Sequence, residues 1–431
     1  MSMNKSASVQ TAHDNGQFSF ALDPVVDSEV DSDIDSDVKD ISSFESSNEA
    51  LEAKLAIKTE SIWVSMPNGE QLHMRHLRPL LDRPLLDAEE APKRVFMLHG
   101  EVECGRIFYH ESGKGVAYHF AEQGYEVFVA DLGGRGRSLG CDGEPSTLTV
   151  HDIVTDAIPR LLRAATQHSS VSTDDAYANS SSVAPAIWVA HGFGGVMLSA
   201  AWARMSDSER TATQMIFFGA RRKLQAKHRI ASAFVKAFCH PLTAKLVNWH
   251  NAFPATRMHL GSADENVHWF RVYADWISSD DWRDSKDGFD YQAALKANPI
   301  PPTLHFAAAA DKIYSDVADV RAFINELGRH DARMLVAGQI GESKREYDHL
   351  SLLLDPAAVD DVFTVATDWL VEQQSLSSPA VVESAVVESA IVQESDFDLS
   401  FYEDSVSDDA SLFSEPEIEQ DETSVELSLA V

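Results

Sequence analysis

The residues Ala190-His191-Gly192-Phe193-Gly194-Gly195 stand between an apolar run, Ala186 to Ala190, and a helical pattern that begins near Gly195. A strand that becomes a helix within so few residues needs small side chains and a position free to take positive φ, which glycine supplies without the cost of a Cβ. The turn therefore commits this stretch to a sheet whose strands feed helices. Gly192-x-Gly194 after a strand also invites a dinucleotide-loop reading. That reading fails at the third glycine of G-x-G-x-x-G, which falls on Met197, and no acidic residue is clearly placed about 20 positions on.

The rest of the chain repeats the strand-to-helix alternation. Ser61 to Pro67 and Leu72 to Leu77 flank Asn68-Gly69, a strong hairpin signal. Arg94 to Leu98 reads as a strand ending at His99-Gly100, Gly115 to Gln123 as a helix stopped by Gly124, and Tyr125 to Leu132 as a buried strand. A helix over Asp152 to Ala165 follows, then the strand Ile187 to Ala190, a helix over Val196 to Met205 and the strand Gln214 to Phe218. The last cycle is a strand over Thr303 to Ala309, a helix over Ser315 to Leu327, a strand over Arg333 to Val336 and a closing helix over Ala357 to Val371. A hairpin followed by βα units implies a mostly parallel sheet covered by helices on both faces, with ligands beyond the carboxyl ends of its strands.

Charge separates this region from the ends of the chain. The 431 residues carry a formal charge of −33, and residues 1–50 hold eleven acids against two lysines. From Gln373 to Val431 there are fifteen acids and no Lys or Arg. Runs such as Asp31-Ser32-Asp33-Ile34-Asp35-Ser36-Asp37 bury too little apolar surface to offset ordering entropy, so residues 1–50 and 373–431 are expected to be disordered around a folded domain at 51–372. The duplicated Val-Val-Glu-Ser-Ala at Val381 and Val386 is far too short for a solenoid. The plainer role for these tails is solvation; the sharper one docks a protein partner through Phe397, Phe401, Tyr402 and Phe413. Such charge repels nucleic acid, and no basic patch or zinc-finger spacing compensates. No stretch reaches the ~18 apolar residues of a membrane span, and Met1 to Gln10 has no apolar core resembling a signal peptide. The cytoplasm is the expected location. Cys104, Cys141 and Cys239 form no C-x-x-C pair and are too few for a disulfide framework.

Several landmarks appear in a telling order: His99-Gly100 after the third strand, Gly105-Arg106-Ile107-Phe108-Tyr109 and Gly113-Lys114-Gly115 before the first helix, and Asp131-Leu132-Gly133-Gly134-Arg135-Gly136-Arg137-Ser138 after the fourth strand. Over Ser61 to Leu370 the chain resembles the α/β-hydrolase superfamily, and more closely its uncharacterised bacterial lipase- and esterase-like hydrolases. The turn from Asp131 is similar to the family's D-x-R-G-x-G-x-S, with Gly133 where an arginine is usual. The turn at Gly192 resembles the G-x-S-x-G nucleophile elbow, whose serine stands on a strained strand-to-helix turn. Here the serine's place is taken by Gly192.

The resemblance implies a triad of Gly192, Asp311 and His349 in the places of nucleophile, acid and base, flanked by His191, Gly194 and Gly195. It also implies an oxyanion hole from the backbone N–H groups of Phe193 and Glu101 beside His99-Gly100. Taken singly, Asp311 would cap the following helix and His349 would pack near Leu350. Ser199 lies too far down its helix to replace the nucleophile, and Cys104 is expected to be a buried, inert thiol rather than a substitute. A carboxylate at Glu101 or Glu103 would oppose charge developing in the oxyanion hole unless it turned to solvent or met Arg106, so a solvated or salt-bridged loop is expected.

About eighty residues separate Gly219 from Thr303, far more than a strand-to-helix loop requires, and the family inserts a cap here, at about 221–300. Trp249, Trp269, Trp276 and Trp282 with Phe253, Phe270 and Tyr273 would build the cap's core or line an apolar pocket above Gly192. The favoured reading is a catalytically degenerate hydrolase, without cofactor or metal, that binds a small apolar or ester-like ligand. The alternatives are cofactor-free chemistry by a His349–Asp311 dyad and a residual hydrolase. If the pocket is intact, a serine restored at Gly192 would meet His349 and recover esterase activity.

Overall fold

The computed structural model describes residues 56–80, 93–141, 145–168, 184–224, 240–250, 252–258, 260–341 and 343–376. Residues 1–55 and 377–431, which hold all but four residues of the two acidic tails, lie outside these residues. Strands β1 (Ala56–Ser65) and β2 (Gln71–Leu80) form the hairpin read from Asn68-Gly69, with Gly69 at φ 89°. After β3 (Arg94–Leu98) come α1 (Val116–Glu122) and β4 (Glu126–Ala130). A helical stretch from Val150, capped by Thr149 and Asp152, passes through a π turn into α2 (Ile158–Gln167). Next are β5 (Ile187–His191), α3 (Phe193–Arg204) and β6 (Gln214–Phe218).

The inserted segment contributes α4 (Pro241–His250), the short pair β7 (Ala252–Phe253) and β8 (Glu265–Asn266), α5 (Val267–Ser278) and α6 (Tyr291–Ala297). The chain then completes β9 (Thr303–Ala308), α7 (Val317–Glu326), β10 (Ala332–Ala337), α8 (Ser351–Leu354) and α9 (Thr364–Leu376). Helix α9 runs four residues past Glu372.

The eight long strands form one sheet in the order β1-β2-β4-β3-β5-β6-β9-β10, antiparallel at β1/β2 and β2/β4 and parallel elsewhere. Period-two alternation divides its buried side chains. Phe96, Leu98, Phe128, Trp188 and Phe217 face α2, α3 and the inserted helices, whereas Val95, Met97, Val127, Val189 and Phe218 face α1 and α9. Because β3 leads to β4 on one side and β5 lies on the other, the connections diverge between β3 and β5. The carboxyl ends of these strands, at His99-Gly100 and Gly192, border the crevice where such sheets bind ligands. Among the described residues, no helix is long and apolar enough to cross a membrane.

Candidate active site

Strand β5 ends at His191, and Gly192 turns the chain directly into α3 with φ 51° and ψ −130°. The helix thus begins three residues earlier than its sequence periodicity indicates, because the turn itself supplies the N-cap. The turn fits closely against the β3 loop. A Cβ on Gly194 would lie 2.6 Å from the carbonyl oxygens of both Leu98 and His99, and one on Gly100 would lie 2.8 Å from the His191 carbonyl. These contacts bring Gly100-Glu101 next to Phe193, the pair that the resemblance implies as oxyanion donors.

The space between them is taken by the Glu101 side chain. Glu101 Oε2 accepts the Phe193 N–H at 2.8 Å, while Oε1 accepts from Arg221 Nη2 at 3.0 Å and Tyr273 Oη at 2.9 Å. Burial opposes ionisation, but Arg221 and His349, joined by the N–H groups of Glu101 itself and Phe193, hold the pKa down at about 2. The Phe193 N–H, one of the two expected oxyanion donors, therefore serves the Glu101 carboxylate. This corrects the sequence reading, in which Glu101 lent its backbone and met solvent or Arg106. Arg106 is exposed, and the counter-charge is Arg221, which is buried just beyond β6.

His349 and Asp311 reach the same place from the loops after β10 and β9. Nδ1 of His349 lies 3.1 Å from Oδ2 of Asp311, although neither atom has an aligned hydrogen-bond partner among the described residues. Asp311 Oδ1 accepts from the N–H groups of Ile313 and Tyr314, and α7 is capped instead by Asp316. Burial opposes ionisation of Asp311, but His349 and those two N–H groups outweigh it and lower its pKa. Tyr314 stacks on His349, with ring centroids 5.4 Å apart. The far nitrogen of His349, Nε2, lies 3.2 Å from the point a Cβ on Gly192 would occupy; Glu101 Oε2 lies 2.8 Å from that point.

His191 is wholly buried. Its Nδ1 meets Glu103 Oε2 at 2.8 Å, and Nε2 donates to the His349 carbonyl at 3.0 Å. Burial works against an imidazolium here, yet Glu103 raises the pKa. Glu103, His191 and His349 bring donor atoms within 4.8 Å of one another, all three buried, and His191 joins the loop of Glu103 to that of His349 through its two nitrogens. His99 is an anchor. It donates from Nδ1 to the Gly100 carbonyl and accepts the Leu132 N–H, and burial pushes its pKa down to about 4.

The loop that aims Glu101 is strained and clamped. Val102 has φ 50°, a conformation that a β-branched residue rarely adopts. Its N–H donates to Glu265, its carbonyl accepts from the Ala263 N–H, and Arg135 ties Glu265 to the Gly100 carbonyl. Burial raises the Glu265 pKa to about 7, against the pull of Arg135. The absence of arginine at Gly133 has a steric reason: a Cβ there would lie 2.5 Å from Ser146 Oγ. Arg135 supplies the inward guanidinium instead.

The aromatic residues of the insertion pack directly onto the turn. Phe193 meets Tyr273 edge to face at 4.8 Å and Trp269 at 5.5 Å; Trp276 and Trp282 are also buried. Trp249 instead points outward, 84% exposed. Ser199 donates to the Gly195 carbonyl within α3, and Cys104 is buried with its pKa raised by that burial. Arg221 and Glu265 escaped the sequence reading, and Tyr273 entered it only as one of the insertion's aromatic residues. The only signal was Glu101 itself, a carboxylate at a position whose N–H should face an oxyanion.

Strand order, a turn after β5, an acid after β9 and a histidine after β10 together define an α/β-hydrolase fold. No protein-family model matches the sequence, and no curated protein matches it. Solved structures similar to it include DcsB in complex with its substrate analogue, at 11% identity and TM-score 0.47, covering 73% of this chain and 99% of that one. Naproxen esterase (carboxylesterase NP) from Bacillus subtilis is similar at 16% identity and TM-score 0.39, over 77% and 100% of the two chains. The haloalkane dehalogenase DatA from Agrobacterium tumefaciens C58 is similar at 13% identity and TM-score 0.45, over 73% and 97%.

Proposed function

We propose that this chain is a catalytically degenerate α/β hydrolase that has kept the shape of an ester-binding site and lost turnover. The observation that carries this is the Glu101 carboxylate, bonded to the Phe193 N–H at 2.8 Å in the place a substrate oxygen would take. A neutral ester carbonyl competes poorly with a carboxylate held by a backbone N–H group, a guanidinium and a phenol, since charge-assisted bonds are about twice as strong as neutral ones. With Gly192 beneath it, no side chain forms an acyl intermediate. Loss of a nucleophile alone commonly costs about 10⁶ in turnover.

The chain would then act by binding, with a small apolar or ester-like molecule under the insertion as its ligand and the cytoplasm as its location. The acidic tails would provide solvation or a docking site for a protein partner. The test is labelling by a fluorophosphonate, together with short-chain ester hydrolysis, in wild type, Gly192→Ser and Gly192→Ser/Glu101→Ala. Wild type is expected to be inert and only the double variant to gain labelling at residue 192 that requires His349. Labelling of wild type at any pocket serine would overturn the reading.

A second reading, proton transfer by the His349–Asp311 dyad without a nucleophile, is supported by their retained 3.1 Å contact. It predicts wild-type turnover that His349→Ala abolishes and Gly192→Ser leaves unchanged.

A further inference from the structure

At the amino ends of the parallel strands, opposite Gly192, a second cluster joins the β1–β2 edge to the end of α2. Glu60 on β1 places one carboxylate oxygen, Oε1, 2.9 Å from His76 Nδ1 on β2 and 2.7 Å from Nε2 of His168, just beyond α2. One donor atom from each of the three residues lies within 4.8 Å of the others. We propose that Glu60, His76 and His168 form a binding site for one divalent transition-metal ion, with zinc the best match, which staples the edge hairpin to α2.

The donor set is the first argument. Two imidazole nitrogens and one carboxylate oxygen form a three-ligand zinc set, leaving a fourth position for water. Glu60 and His168 have side chains 36% and 24% exposed, so an ion and its water have access, while His76 is buried at 1%.

The outer contacts are the second. The opposite nitrogen of His76, Nε2, meets Glu126 Oε1 at 2.8 Å, and the other oxygen of Glu126 is held by Arg94 Nε at 2.6 Å. A carboxylate behind a ligating histidine is the usual outer-shell device; it fixes the tautomer and presents the opposite lone pair to the metal. The ring is further fixed by stacking on Phe128, with centroids 4.4 Å apart and planes within 10°.

Proton counting is the third. A neutral imidazole has one N–H, yet His76 faces a carboxylate oxygen at each nitrogen. A cation between Nδ1 and Glu60 would leave the ring's one N–H to Glu126. Ligand atoms around tetrahedral zinc are about 3.3–3.4 Å apart at ordinary bond lengths. The present spacings of 2.7 and 2.9 Å therefore require the Glu60 carboxylate to withdraw by about half an ångström, which its half-exposed side chain at the sheet edge allows.

The test uses the full chain, stripped with chelator and titrated with Co²⁺, whose visible spectrum distinguishes a four-coordinate site from loose binding to the acidic tails. One equivalent of Co²⁺ is expected to give the four-coordinate spectrum and to be displaced by Zn²⁺. His168→Gln and Glu60→Gln should each abolish that spectrum, and Glu126→Gln should weaken binding about 10–100-fold. Zn²⁺ should raise the melting temperature of wild type and leave that of His168→Gln unchanged. Circular dichroism establishes that each variant is folded before it is scored; His168→Gln, changed outside the regular elements, serves if Glu60→Gln unfolds. Absence of a four-coordinate spectrum in wild type, or a spectrum retained in folded His168→Gln, would overturn the proposal.

Discussion

A serine at position 192 would place its Cβ 2.8 Å from Glu101 Oε2 and 3.2 Å from His349 Nε2, on a backbone with φ 51°. Glycine there removes both the collision and the strain. Contrary to the sequence-based expectation, Gly192→Ser alone should stay inactive, because the carboxylate fills the space its hydroxyl needs. It should also lose about 1–3 kcal/mol of stability, measurable by urea denaturation. Glu101 makes a second prediction. Its pKa of about 2 lies below the ordinary 4.5, so the stability it contributes is present above about pH 4.5 and is lost as pH falls toward 2. The shift corresponds to roughly 3 kcal/mol. In Glu101→Gln that part of the acid-side slope should vanish; an unchanged slope would mean the carboxylate is not held as described.

At the scale of elements, the β3 loop and helix α5 of the insertion act as a unit. Tyr273 on α5 donates to Glu101 and also accepts from Arg221, so Tyr273→Phe removes one donor from a buried carboxylate and leaves the guanidinium short of a partner. A loss of about 1–3 kcal/mol is expected, with the acid transition of Glu101 moving to higher pH. Glu265 works with the opposite sign. Its pKa is raised to about 7, so its contribution is fully present below about pH 4.5 and is lost as pH rises toward 7. Denaturation midpoints across that range should slope downward in wild type and be flatter in Glu265→Gln. Equal slopes would show that Glu265 does not govern the clamp on Val102.

At the scale of the molecule, the two cores on either face of the sheet are formed by residues between 56 and 376. A chain cut to 56–376 should keep a single cooperative unfolding transition, followed by circular dichroism, and lose most of its negative charge. Disappearance of that transition would show that the removed segments contribute core.

Much of this organisation is legible in the sequence. Strands over Arg94–Leu98 and Gln214–Phe218 have the predicted bounds, since short apolar runs flanked by turn residues have one way to be buried. The resemblance picks out Gly192, Asp311 and His349 on loops beyond β5, β9 and β10, and the structure brings them together. By itself the sequence determined the succession of strands and helices and the glycine turn, because each follows from local periodicity and residue type. Tertiary structure alone decided what stands beside Gly192. Arg221 and Tyr273 reach Glu101 from 120 and 172 residues away, and Arg135 meets Glu265 across 130. A buried charge takes the partner that folding carries within about 3 Å of it, and no local pattern records that distance.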